Sequence, residues 1–319
     1  MRQDAVALFA CPECGSAFEL TGDELVCARS HRYPIVGGIP RFVGSELYAQ
    51  NFGFEWTLHA ATQLDTSRSD ESERTFRAKT GFTPEDLRGK TVLDVGCGMG
   101  RFSDVASRWG ANVVGIDLSR AVESAQRNIG SRPNVTIAQA NVFALPFREE
   151  SFDCIFSIGV LHHTPDTKAA FDRLPKLLRP GGKIAIWLYE KHRVKWGFSD
   201  FYRRFTPRLP KRFLHAISYG AVPLYYAYKI PVLGLAIHWV LPAGDHPKAR
   251  WRVLDTFDWY SPTYQWKHTY PEVRGWFAEH GLVDVSDLQV PVAVRGRRGD
   301  GAAQASAASQ PNPTTITTQ

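Results

Sequence analysis

Three groups of residues have the types and spacings to do chemistry. Cys11, Cys14, Cys27 and His31 follow the pattern C-x2-C-x12-C-x3-H. Three thiolates and an imidazole are a ligand set for tetrahedral zinc, and a segment too short for its own core would gain its folding energy from such an ion. With protein at all four positions, that zinc would be structural. The second group is Gly96, Gly98 and Gly100, in the stretch Val92-Leu-Asp-Val-Gly-Cys-Gly-Met-Gly-Arg101, with Asp117 lying 17 residues beyond Gly100. These glycines let the backbone turn sharply and approach a ligand, and a carboxylate at the tip of the neighbouring strand can take both hydroxyls of a ribose. The spacing G-x-G-x-G departs from the G-x-G-x-x-G of a dinucleotide site. The lesser alternative for Asp117 is the N-cap of a helix beginning near Ser119. The third group is His162, His163, His268 and Asp258, side chains able to accept a proton from an acceptor substrate. The adjacent histidines also suit a loop that merely holds backbone in place.

The elements that must position these residues read as an alternation of strands and helices. Strands are expected at 91–95, 112–117, 134–138, 152–158 and 183–189, with helices near 101–109, 119–129 and 166–178. Such alternation gives a mainly parallel sheet covered on both faces, a doubly wound α/β fold. Right-handed crossovers then bring the glycine turn and Asp117 to one sheet edge, where the helix starting near Arg101 directs its free N–H groups at a ligand. A helix over 271–280, closed by Gly281, and strands near 282–289 and 291–295 complete the sheet.

The 319 residues, 44% of them hydrophobic, suffice for one large domain and a small one, which excludes a disordered chain. The order expected is a zinc ribbon at 1–45, an aromatic lid or linker at 46–90, the core at 91–189, a cap insertion at 190–269, the rest of the core at 270–296 and a disordered tail at 297–319. Tyr48, Phe52, Phe54 and Trp56 suit a lid or packing between ribbon and core. Met1-Arg-Gln-Asp-Ala-Val leads into the cysteine motif rather than a long apolar stretch, so the expectation is a cytoplasmic protein with metal-bound rather than disulfide-bonded cysteines.

Val92 to Ser103, Asp117, Leu145-Pro-Phe147, Ser151 to His163 and Leu178 to Leu188 together resemble the class I S-adenosylmethionine-dependent methyltransferases of the type 11 kind. The resemblance covers residues 80–190 well and 270–295 loosely. It implies a Rossmann-like, seven-stranded, mainly parallel sheet, here with a zinc ribbon and a helical cap, and S-adenosyl-L-methionine as cofactor. By that resemblance Gly96, Gly98 and Gly100 lie against the methionine and ribose portion. Asp94 helps hold the methionine amino group and Asp117 takes the ribose hydroxyls. Asn141 stands where the family usually has an aspartate that accepts from the adenine amino group, and its carbonyl oxygen can still accept. Val142 is a candidate to pack on the adenine.

The insertion decides the acceptor. Between Lys191 and Arg212 lie eight Lys or Arg residues and only Asp200 of opposite sign, interleaved with aromatics. Phe213 to Leu241 is apolar and interrupted by Pro223 and Pro231, which suits a helical cap better than a membrane-spanning helix. This pattern fits an acidic or phosphate-bearing substrate, a peripheral membrane contact, RNA, or a solvated charged face beside a packed cap. The aromatic stretch Trp251 to Tyr270 is expected to line the acceptor pocket. The leading reading is methyl transfer to an oxygen, nitrogen or carbon of a small molecule or glycan/lipid precursor. The alternatives are a ribosomal RNA base methyltransferase, whose zinc ribbon has similar spacing, and a non-catalytic zinc-ribbon binding module.

Overall fold

The computed structural model describes residues 3–43, 64–65, 70–191 and 198–300. Near the N-terminus, β1 (Phe18–Thr21), β2 (Glu24–Cys27), β3 (Arg32–Val36) and β4 (Ile39–Pro40) form a four-stranded antiparallel ribbon. The central sheet comprises β5 (Thr91–Val95), β6 (Asn112–Asp117), β7 (Val135–Gln139), β8 (Phe152–Ile158), β9 (Leu178–Trp187), β10 (Leu282–Asp287) and β11 (Ala293–Arg298). Their order is β10-β11-β9-β8-β5-β6-β7, with β11 antiparallel to both neighbours and the rest parallel. Among the described residues, the helices longer than one turn are α1 (Glu71–Thr80), α2 (Arg101–Arg108), α3 (Ala121–Ile129), α4 (Thr167–Phe171), α5 (Lys211–Ser218), α6 (Ala221–Ala227), α7 (Leu233–Val240), α8 (Ala249–Tyr260) and α9 (Tyr270–Glu279). This is the doubly wound, mainly parallel seven-stranded architecture expected from the alternation.

The central parallel strands are apolar and buried along their length because helices cover both faces. Phe76 of α1 is fully buried and packs on Phe102, Trp109 and Phe156, with its ring 5.0 Å from that of Phe156. The described end of segment 46–90 is therefore part of the sheet's cover. The aromatics Tyr48, Phe52, Phe54 and Trp56 lie outside the described residues.

The ribbon, a separate sheet, docks beside β7 through a single bridge between Arg41 and Gln139. The Phe42 N–H donates to Gln139 O at 2.9 Å and the Ala10 N–H to Pro146 O at 2.9 Å. Phe9 packs between Phe42 and Phe147, 5.3 Å from each. Ribbon and domain thus share one apolar core at the loop after β7.

Several boundaries depart from the sequence reading. The helix expected over 166–178 stops at Phe171, and Pro175 opens a separate 3-10 turn through Leu177. Proline lacks an N–H and disfavours helix in the residue before it. Strand β9 starts at Leu178 instead of 183, because a register shift lets Leu178 pair with Phe152 ahead of Cys154 and Lys183. Strand β11 runs to Arg298, into the span assigned to the tail, with Arg297 donating to Asp284 and Arg298 to Glu150. Residues 301–319 lie outside the described residues. In the cap, Pro223 sits inside the first turn of α6, where proline is tolerated. The breaks fall at Tyr219-Gly220 and around Pro231.

Candidate active site

The β5–α2 turn forms the floor of the site. Gly96 has φ +83, and a side chain there would place Cβ 2.3 Å from Val160 Cγ1. Gly100, at φ +91, caps α2 on its N-terminal side against Ile129. Both positions require glycine for conformation as well as space. Asp117, at the end of β6, accepts from the Gly98 N–H at 3.0 Å through Oδ2, and from Ser119 N–H and Oγ through Oδ1 at 2.8 and 2.7 Å. It therefore ties the two adjacent strand ends together. α3 itself begins at Ala121, so Asp117 is not its N-cap residue, and Ser119 Oγ accepts the Ala121 N–H. A carboxylate has about four acceptor positions, so three bonds leave capacity for a ligand hydroxyl.

These elements enclose a cavity of about 300 Å³. Of the residues expected to bind cofactor, Gly96, Gly98, Asp117 and Val142 line it. Asp94 does not. It is buried below the turn, accepts from Ser103 Oγ at 2.6 Å, and burial raises its carboxyl to about 7. Asn141 is also outside the wall. Its Oδ1 accepts the Phe143 N–H at 3.0 Å, which leaves a second acceptor position on that oxygen.

Of the four proton-acceptor candidates, Asp258 and His163 reach the cavity. His163 Nδ1 donates to Tyr264 O at 2.9 Å, which puts the lone pair of the neutral ring on Nε2; burial lowers its pKa to about 4. His162 is fully buried behind the wall, its ring 4.0 Å from that of Tyr189 and 4.2 Å from that of His163, and neither ring nitrogen has a hydrogen-bond partner. Burial holds it neutral. His268 lies elsewhere, between Glu272 Oε1 at 2.9 Å and Thr167 Oγ1 at 3.1 Å, where it braces the start of α9 against α4.

Lys79 and Tyr189 are among the wall residues missed by the sequence reading. Lys79 lies 3.2 Å from the centroid of the Trp187 ring, and its burial pulls the ammonium down to about 7. Tyr189 donates to Asp258 Oδ2 at 3.4 Å. Burial, then the charge of Asp255, raise Asp258 to about 7, while burial raises Asp255 to about 6. A lysine in a charged helix ordinarily reads as solvated, but Lys79 lies one turn beyond Phe76, the buried residue that turns this face inward. Helix α8 supplies Leu254, Asp255 and Asp258 to the cavity wall. A second cavity, of about 480 Å³, shares Trp187, Tyr189 and Asp255 with the first and adds Trp259, Lys267 and His238. The stretch from Trp251 thus contributes to both spaces.

At the ribbon, the donor atoms of Cys11, Cys14, Cys27 and His31 lie within 4.8 Å of one another. Cys14 and Cys27 Sγ are 3.6 Å apart, and His31 Nδ1 is 3.3 Å from Cys11 Sγ. A tetrahedral ion with bonds of about 2.3 Å to sulfur would separate its ligands by roughly 3.7 Å. The set fits a metal ion.

Residues 93–186 match a family described as "Methyltransferase domain". The matched residues run from β5 to β9 of the central sheet. Among curated proteins, a phosphoethanolamine N-methyltransferase 2 of Caenorhabditis elegans is 35% identical over 144 residues, 43% of this chain and 31% of that protein. An O-methyltransferase of Aspergillus sclerotiorum is 37% identical over 137 residues, 40% of this chain and 52% of its own. The chain thus spans about a third to a half of these relatives. A solved Haemonchus contortus phosphoethanolamine N-methyltransferase 2, in complex with S-adenosyl-L-methionine, is 18% identical with a TM-score of 0.46, over 80% of this chain and 47% of that one.

Proposed function

We propose that the chain transfers a methyl group from S-adenosyl-L-methionine to a small-molecule acceptor, with a structural zinc in its ribbon. The observation that carries this reading is the continuity of the walls. The glycine turn and Asp117 share a cavity with Asp258 and Lys79, and that cavity shares Trp187, Tyr189 and Asp255 with a second space under the cap.

The donor set suits the cofactor. Asp117 would accept from the ribose hydroxyls, Val142 and Leu118 would pack on the adenine, and Gly96 and Gly98 would let the backbone approach the remainder. When bound, S-adenosyl-L-methionine supplies an electrophilic methyl on a sulfonium. The protein's share is to hold an acceptor in line and exclude water. Asp258 takes the acceptor proton on its carboxylate, and Tyr189 holds that carboxylate from the other side. Lys79 offsets the negative charge of Asp255 and Asp258 in a site of low polarity. His163, neutral throughout the working pH range, shapes the wall.

Ribosomal RNA methylation finds less support. Residues 1–43 carry five Asp or Glu against four Arg, so the ribbon lacks the positive charge that draws a phosphate backbone. The test is release of S-adenosylhomocysteine with oxygen- and nitrogen-bearing small acceptors, alongside ribosomal RNA. Turnover with a small acceptor is expected. Turnover confined to RNA would overturn the reading.

A further inference from the structure

The cap exposes an apolar surface that the transfer reaction does not explain. Of the 18 large hydrophobic side chains exposed among the described residues, 14 lie between Phe198 and Leu241. Leu235 of α7 is 79% exposed and Val232, just before it, 91%. Val232 also holds φ +62, a left-handed conformation costly for a β-branched residue. In α5, Leu214 and Ser218 face inward while Arg212, Phe213, Ala216 and Ile217 share the outward arc, so its solvent face is apolar with a cationic edge.

The charge of this surface has one sign. Residues 198–241 contain six Lys or Arg and one acid, Asp200, which accepts from Lys267. Arg204, Arg208, Arg212 and Lys229 are exposed, and none pairs with a carboxylate among the described residues. No helix among those residues is long and apolar enough to cross a membrane.

We infer that this face, carried by α5, α6 and α7, docks on an anionic lipid surface, with Leu235 and Val232 entering the boundary between headgroups and acyl chains while Arg204, Arg208 and Arg212 meet the phosphates. Charge complementarity selects this occupant. A second copy across a two-fold axis would set these cations against their own equivalents, and an RNA strand would leave Leu235 and Val232 without an apolar partner. Interfacial helices combine an apolar face with basic residues in this way. The inference stands apart from the transfer reaction. Taken with it, the position of His238 in both α7 and the wall of the second cavity puts the acceptor space beside the lipid, where an amphiphilic acceptor could enter.

The test is co-sedimentation of the full chain with vesicles of equal parts phosphatidylcholine and phosphatidylglycerol, against pure phosphatidylcholine, at low and high salt. Binding to the anionic vesicles that weakens with salt is expected. The triple variant Arg204→Gln, Arg208→Gln, Arg212→Gln should bind roughly 100-fold more weakly, at about one kcal/mol for each basic residue near a charged surface. Ile217→Asp with Leu235→Asp should abolish binding while leaving S-adenosyl-L-methionine affinity and the circular dichroism spectrum unchanged. Absence of vesicle binding by the wild-type chain, or binding unaltered in both variants, overturns the inference. So does a dimer that Leu235→Asp dissociates without any effect of vesicles, which would assign the face to a second copy.

Discussion

Asp258 and His163 line one cavity but titrate far apart, at about 7 and about 4, which makes their roles separable. A general base works in its deprotonated form. With Asp258 raised to about 7, kcat/KM should rise as pH increases through about 7 and then level off. With His163 as base, the rate would already be flat above pH 5, because its pKa is lowered to about 4. Asp258→Asn should reduce kcat by roughly 10²–10⁴, read from S-adenosylhomocysteine release. Lys79 favours the ionised form of Asp258, so Lys79→Met should move the rising limb of the profile to higher pH. An unmoved limb would detach Lys79 from the base. Asp258 also carries a stability signature. Its folded pKa exceeds the ordinary carboxyl value, so its contribution is present below pH 4 and is lost as pH rises through about 7. Asp258→Asn should therefore be more stable than wild type at pH 8, by about 1–2 kcal/mol in denaturant unfolding.

The Cys/His cluster, the glycine turn and Asp117 were legible from spacing alone. Which histidine faces the cavity was not. His162 and His163 are neighbours on one turn, and their difference arises from Tyr264, a backbone carbonyl 101 residues away. Lys79 was hidden by a charged helix whose buried face is set by Phe76.

The elements divide along the range of the forces that fix them. Strands β5, β6 and β8 matched their expected spans because each is a run of apolar residues between glycine or charged turns. The helix after His163 was overestimated because Pro175 cuts it, and β11 was underestimated because its last residues are arginines held by Asp284 and Glu150. Docking of the ribbon on the loop after β7 could not be read locally, since it depends on Phe9, Phe42 and Phe147 meeting. It has a consequence at this scale. Removing metal should melt the ribbon and expose that loop, so chelation should lower both the thermal midpoint and the affinity for S-adenosyl-L-methionine, with about one zinc found per chain by metal analysis. Full folding without metal would contradict this. Phe76→Ala, which empties the contact between α1 and the sheet, should cost about 3–5 kcal/mol in denaturant unfolding.

For the whole molecule, three layers meet at one site. The sheet edge provides the glycine turn and Asp117, α1 brings Lys79, and α8 of the cap brings Asp255 and Asp258. The basic-aromatic insertion announced a cap, and its exposed apolar face explains why that insertion is richer in hydrophobic residues than a nucleic-acid track requires. The central claim is that this cavity holds S-adenosyl-L-methionine through Asp117, and a calorimetric titration tests it directly. Wild-type protein should bind one equivalent, and folded Asp117→Ala should bind at least roughly 30-fold more weakly, the loss of about 2 kcal/mol in charge-assisted hydrogen bonds. No binding by the wild-type chain, or equal affinity in the folded variant, would contradict the account.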